Sequence, residues 1–216
     1  MPQRNRVSLW ALLGFLCLIN FPGLAYAEYL GLVFGRSANP ANQSELSVEA
    51  GVVSGQLGSV DFRYLGVRLN SRVAPNVLVF GDFGSSEFGA SDGRPYGLGA
   101  LYHFNNQKFN PSLDIALMAS YHSAGYSVSD DKLSITALSM ELVISGIAIE
   151  GVSGYVNFGY HQIDVKFGGL DSRKELGFGA GVSLPLGPGE AYAGFNFINE
   201  VTLGMGFRYF IQPIEP

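Results

Sequence analysis

The stretch Val201-Thr202-Leu203-Gly204-Met205-Gly206-Phe207-Arg208-Tyr209 decides the fold. Large apolar residues hold every second position, and Thr, Gly, Gly and Arg hold the positions between. Successive side chains of a β-strand point to opposite faces, so this segment is a ribbon with one bulky apolar side and one slim polar side. Three other stretches repeat the rhythm. Tyr96, Leu98, Ala100, Tyr102 and Phe104 share one phase, as do Leu113, Ile115, Leu117, Ala119 and Tyr121, and Leu176, Phe178, Ala180, Val182 and Leu184. In the last of these the opposite phase is Glu175, Gly177, Gly179, Gly181 and Ser183.

Weaker alternations cover roughly 45–55, 59–70, 76–86, 132–145, 152–166 and 190–198. One of them changes phase: Val60, Phe62 and Tyr64 share a face, then Leu65, Val67 and Leu69 take over on the other. Either a β-bulge or a wrong strand assignment accounts for such a switch. Turn-forming residues punctuate the series, at Asn70 to Asn76, Asn105 to Pro111 and Leu186 to Gly189 on one side, and at Gly89 to Gly93, Gly125 to Asp131 and Gly168 to Asp171 on the other. The rhythm yields about ten strands, with eight as the alternative. Tyr29 to Gly35 reads either as a first strand or as a leader into the strand near Leu46.

Each ribbon must hide its apolar side against another sheet, inside a barrel, or in lipid. The chain is 47% hydrophobic and only 14% charged, yet beyond residue 27 it has no run approaching the 18 or so apolar residues of a spanning helix. In lipid every backbone polar group must be paired within the protein, so a spanning sheet closes on itself. Its outward residues are then apolar, its inward ones can be small and polar, and about 9–11 tilted residues cross the bilayer. The expected fold is therefore all-β: one closed, antiparallel, up-and-down transmembrane barrel. Tyr96, Phe104, Tyr121 and Tyr209, near strand ends, suit interfacial girdles. A soluble lipocalin-like binder is the alternative, with the apolar set facing inward.

The first 27 residues read as a secretory signal: Arg4 and Arg6, an apolar core from Leu9 to Leu18, and a cleavage site at Ala25-Tyr26-Ala27 that leaves Glu28 first. Residues 28–216 then form a single domain. Cys17 lies in the leader and follows Leu16, which is not the small residue a lipoprotein signal places there. The mature chain carries no thiol. Loss of Arg4 and Arg6 makes the formal charge of -5 more negative still, and an acidic chain without a basic cluster is no nucleic-acid binder.

The segment Thr202 to Phe210 resembles the terminal strand of small OmpA-like outer-membrane barrels. The signal peptide and the hairpin rhythm extend that resemblance loosely along the chain. It implies residence in the outer membrane, contact with its lipid and lipopolysaccharide, and recognition by the barrel-assembly machinery through Thr202 to Phe210. The departure is at the end, where Ile211 to Pro216 follow the aromatic.

Strand parity nominates a polar lumen network of Asp61, Arg63, Asp114, Glu141, Glu175 and Arg208, either plugging the barrel or lining a narrow channel. His103, His122 and His161 read as lumen histidines bonded to water or neighbours, with no metal site. Ser120 and His122 lie two apart on one face, so a nucleophile-base pair is conceivable, but of the carboxylates that could orient the base Glu141 falls well down the next strand and Asp130 and Asp131 fall in a loop. Gly177 to Gly181 is not a phosphate loop, since it lacks the Lys-Ser/Thr ending; its glycines leave room for large side chains across the lumen. The expected role is structural or surface-interacting, without catalysis or cofactor. A small passive pore and an envelope-lipid hydrolase are the alternatives. The exposed loops are expected at Ser85 to Arg94, Ala124 to Asp131 and Phe167 to Arg173.

Overall fold

In the computed structural model the described residues are 31–33, 35, 37–40, 45–57, 60–104, 113–128, 131–149, 151–166 and 170–211. They build one closed antiparallel wall from eleven strand segments: β1 (Leu46–Leu57), β2 (Val60–Ala74), β3 (Val77–Phe88), β4 (Ser91–Gly93), β5 (Tyr96–Phe104), β6 (Leu113–Val128), β7 (Asp131–Ile149), β8 (Val152–Lys166), β9 (Leu170–Leu186), β10 (Gly189–Ile198) and β11 (Glu200–Phe210). Segments β4 and β5 each pair with β3 on one side and β6 on the other, so they share one place in the wall and the barrel has ten staves. The break between them falls at Arg94-Pro95, where proline cannot donate to a ladder; the Pro95 carbonyl still accepts from the Gly84 amide at 3.0 Å. Ten strands is the sequence expectation.

Closure comes from β1 and β11, paired from Ser47↔Phe210 to Gly55↔Thr202. Both chain ends of the wall therefore lie at one rim, where the Ile211 amide donates to the Leu46 carbonyl at 3.0 Å. This near rim also holds the turns at Pro75-Asn76, Gly151 and Gly187-Pro188. The far rim holds the C-terminal ends of β1, β6 and β8 and the turns at Gly89-Ala90 and Asn199. Gly89, Gly151 and Gly187 have positive φ, as does Asn199 at 63°, the left-handed geometry that Gly and Asn tolerate best.

The far loops are shorter than expected. Most of Ser85 to Arg94 and Ala124 to Asp131 is strand, and β9 already begins at Leu170. The longest staves are β7, at 19 residues, and β9, at 17, well beyond what a bilayer crossing requires.

The outward face divides at one height. Toward the near rim it is apolar: Leu65 and Leu69 on β2, Leu138, Met140 and Leu142 on β7, Phe158 and Tyr160 on β8, and Leu203 and Met205 on β11 are all exposed. Leu65 and Met205 are each 62% exposed. Toward the far rim the outward positions become Arg63 and Asp61 on β2, Thr136, Ser134 and Lys132 on β7, Gln162, Asp164 and Lys166 on β8, and Lys174 and Ser172 on β9. The inward face changes less sharply, because a buried apolar cluster of Leu78, Phe80, Leu101, Met118 and Val143 already stands among the polar lumen groups on the near side. Beyond the division the lumen is closed by a buried apolar cluster that includes Tyr126, Leu133, Ile135, Ile163 and Ile198.

This reversal explains the phase change in 59–70. The register of β2 against β1 and β3 runs without interruption through these residues, so no bulge is present. Phe62 and Tyr64 point inward and are buried, while Leu65 and Leu69 point outward. The register irregularities lie elsewhere, at Arg72/Ala74 and Ile147/Ile149.

Candidate functional site

The lumen is occupied. Residues 31–33, 35 and 37–40 are not a strand; they precede β1 and lie inside the wall. Gly31, Leu32, Val33, Gly35, Ala38 and Pro40 are buried, and their neighbours come from staves all round the barrel. A Cβ on Gly31 would meet His122 and Asp82, and one on Gly35 would fall on the Tyr192 ring. Val33 sits in the space that a Cβ on Gly204 would take. Ala38 packs in a cluster with Leu78, Leu101, Met118 and Val143. Leu32 and Val33 pack with Val53, Phe62, Tyr64 and Tyr192.

Two buried arginines anchor this segment. Arg68, on β2, is 1% exposed and Arg208, on β11, is 0% exposed. The Arg68 guanidinium forks onto Asp82 of β3, through Nε to Oδ1 and through Nη2 to Oδ2 at 2.7 Å. Its Nη2 also donates to the Leu32 carbonyl at 2.8 Å, and its Nη1 lies 3.9 Å from Glu49 Oε2. The other arginine repeats the scheme. Arg208 Nε donates to Glu49 Oε1 at 2.8 Å, Nη1 pairs with Glu190, and Nη2 donates to the Gly35 carbonyl at 3.0 Å. Glu49 Oε1 also accepts from Asn70 at 2.8 Å. His122 Nε2 lies 2.9 Å from Asp82 Oδ2. The Phe80 ring lies under Arg68, with its centroid 4.6 Å from Cζ, and Tyr192 under Arg208 at 5.7 Å.

Buried charges are costly unless paired and hydrogen-bonded. Here each guanidinium meets carboxylates from neighbouring staves, a backbone carbonyl of the inner segment and an aromatic face. The arrangement binds and cross-links. At the near end, the Ala38 amide donates to Ser145 Oγ at 2.7 Å.

Of the six nominated residues, Arg208 belongs to this network, but the six do not come together. Glu141 is buried in a separate group, accepting from Asn157, which also lies 3.4 Å from Asn196. Asp114 pairs with His103 at 3.2 Å near the close rim. Glu175 stands opposite His161 in the β8–β9 register. Asp61 and Arg63 are exposed on the outer face, and that placement corrects the parity argument. Phe62 and Tyr64 read as lipid-facing only if the apolar set is outward along the whole strand, whereas near the far rim it is inward.

The same error hid Arg68, and with it Glu49 and Asp82, whose part in the site depends on meeting it. Had Leu65 and Leu69 set the parity of β2, Arg68 would have been placed inward. His122 is committed to Asp82, and His161 Nδ1 lies 2.8 Å from Ser139 Oγ. The glycines act as expected. A Cβ on Gly97 would meet His122, on Gly99 Phe80, on Gly181 and Gly194 the Tyr155 hydroxyl, and on Gly206 the Tyr192 hydroxyl. Slim wall positions thus seat the large inward side chains.

No family model matches the chain, and no curated protein matches it in sequence. Solved structures of similar shape include an outer membrane channel from Pseudomonas putida F1, at TM-score 0.49 and 10% identity, covering 88% of this chain and 99% of that one. The β domain of the Bordetella autotransporter BrkA aligns at TM-score 0.48 and 14% identity, over 78% of this chain and 99% of that one. The translocator domain of the autotransporter NalP from Neisseria meningitidis aligns at TM-score 0.45 and 12% identity, over 78% and 89%.

Proposed function

We propose that this chain is an outer-membrane β-barrel with a structural or surface-presenting role, its lumen filled by its own residues rather than open to solutes. The observation that carries the reading is the outward apolar belt, bounded at one height on β2, β7, β8 and β9. A soluble monomer rarely exposes a contiguous apolar patch above about 300–600 Å². A belt of half-exposed Leu, Phe, Met and Tyr around the wall has a stable environment only in hydrocarbon, where the closed ladder satisfies the backbone. Tyr96, Tyr121 and Tyr160 stand outward at or close to the boundary, the place of an aromatic girdle.

In this reading residues 1–27 are removed at Ala27/Glu28, residues 28–216 form the barrel domain, and the near rim faces the periplasm. The strand Thr202 to Phe210 supports a place among small OmpA-like barrels and recognition by the assembly machinery. Lipid and lipopolysaccharide are the partners of the belt. The occupied lumen supports the structural role over the passive pore. The hydrolase alternative gains the orienting carboxylate that the sequence did not reveal, since Asp82 lies 2.9 Å from His122 Nε2; the structural role is preferred because Asp82 is also held by Arg68 and His122 lies buried beside Gly31.

The test is cell fractionation with gel mobility before and after heating. The expected result is a protein confined to the outer-membrane fraction whose mobility in detergent shifts on boiling. Recovery in aqueous extract without a heat shift rejects the reading.

A further inference from the structure

We infer that the lumen is a peptide-binding site that reads main chain, filled in cis by residues 31–33, 35 and 37–40 and able to take an equivalent peptide in trans. This goes beyond a filled barrel, because it makes the filling a ligand rather than a fixed part of the wall.

Three contacts carry the inference. Arg68 donates to the Leu32 carbonyl, Arg208 donates to the Gly35 carbonyl, and Ser145 accepts from the Ala38 amide. All three address backbone groups, the feature that lets a groove hold an extended chain through main-chain bonds while pockets choose side chains. The selection is steric. At 31 and 35 only glycine fits against His122, Asp82 and Tyr192.

The energetics favour an exchangeable ligand. The ion pairs Arg68–Asp82, Arg208–Glu49 and Arg208–Glu190 run from wall to wall. If the segment leaves, the guanidiniums keep these carboxylates. Departure therefore forfeits hydrogen bonds and the burial of small apolar groups, and leaves no uncompensated buried charge, the costliest outcome of breaking a buried pair. Gly204 in the wall leaves the hollow for Val33, so the site is shaped in the barrel and not only by the segment.

The experiment uses the full chain, purified folded from membranes, with a fluorescein-labelled synthetic peptide of residues 31–40 read by anisotropy. In wild type the tethered segment competes at an effective concentration of about millimolar, so the free peptide is expected to bind at least about a hundredfold more weakly than to Gly35→Leu, whose own segment clashes with Tyr192. A peptide carrying the Gly35→Leu change should not bind. Gly204→Leu fills the hollow from the wall and should refuse the peptide even though its own segment is displaced.

A folded Gly35→Leu protein that fails to bind the wild-type peptide overturns the proposal, and so does a Gly204→Leu protein that binds it as tightly as Gly35→Leu does. Should Gly35→Leu fail to give heat-shifted protein, Gly31→Val, which clashes with His122 and Asp82, takes its place with the same expected outcomes. Fractionation of the same preparations separates the two readings. A water-soluble barrel that binds the peptide sinks the membrane assignment and leaves this site standing.

Discussion

On β7, Leu138, Met140 and Leu142 face out while Ser139, Glu141 and Val143 face in; a few residues further toward the far rim, Leu133, Ile135 and Ala137 face in while Lys132, Ser134 and Thr136 face out. The strand continues without a bulge across the division, but its two ends obey opposite rules. Below the boundary the wall is built like a membrane barrel, greasy outside, with buried ions and an apolar cluster of Leu78, Leu101, Met118 and Val143 sharing the inside. Above it the wall is built like a soluble one, with an apolar centre and a wet exterior. The backbone is indifferent, because its hydrogen bonds close laterally in either medium. Only the side chains record where the solvent changes.

The contrast can be broken experimentally. The largest effect is expected at the inner network of the belt. Arg68→Ala removes the partner of Asp82 and the donor to Leu32, and should cost about 3–5 kcal/mol in urea unfolding from vesicles. A loss below about 1 kcal/mol would mean that these buried ions do not hold the belt interior together. Next comes the outer face. Leu142→Arg, in mid-belt, should cost about 2–4 kcal/mol, whereas Thr136→Arg, outward on the same strand beyond the boundary, should stay within about 0.5 kcal/mol. Equal costs would erase the boundary. The smallest effect belongs to the apolar cap. Ile163→Val, at a residue 1% exposed, should cost about 0.5–1.5 kcal/mol. No measurable loss there would show that the cap is loosely packed.

Where one rule held along a strand, the sequence was readable. Residues 201–209 and 175–184 keep one phase throughout, and both their strands and their outward faces follow directly. The ten-stave count was legible for the same reason, since turn residues separate the runs. Strands that cross the boundary were harder. On β2 the apolar set changes sides at Leu65, and a reader who starts from Phe62 assigns Asp61 and Arg63 to the lumen and loses Arg68. Glu49 and Asp82 are single acids in short alternations, with nothing local to announce that they meet across the wall. The inner segment was the least legible. Gly31, Gly35 and Ala38 carry no periodic pattern, because their fit is dictated by Tyr192, His122 and Ser145, which lie more than a hundred residues away in two of the cases and close to a hundred in the third.

The seam between β1 and β11 fixes an order of events. Glu49 and Arg208 are 159 residues apart in sequence, and Ser47 meets Phe210. Until the last stave is delivered, the first has an unpaired edge, and every partial chain is a curled sheet with two open flanks. The ring cannot be completed piecemeal as the polypeptide emerges; it must wait for β11. Contacts of such long range are slow to form, so a nascent chain needs shelter for the whole of that interval, and β11 acts as the clasp that ends it.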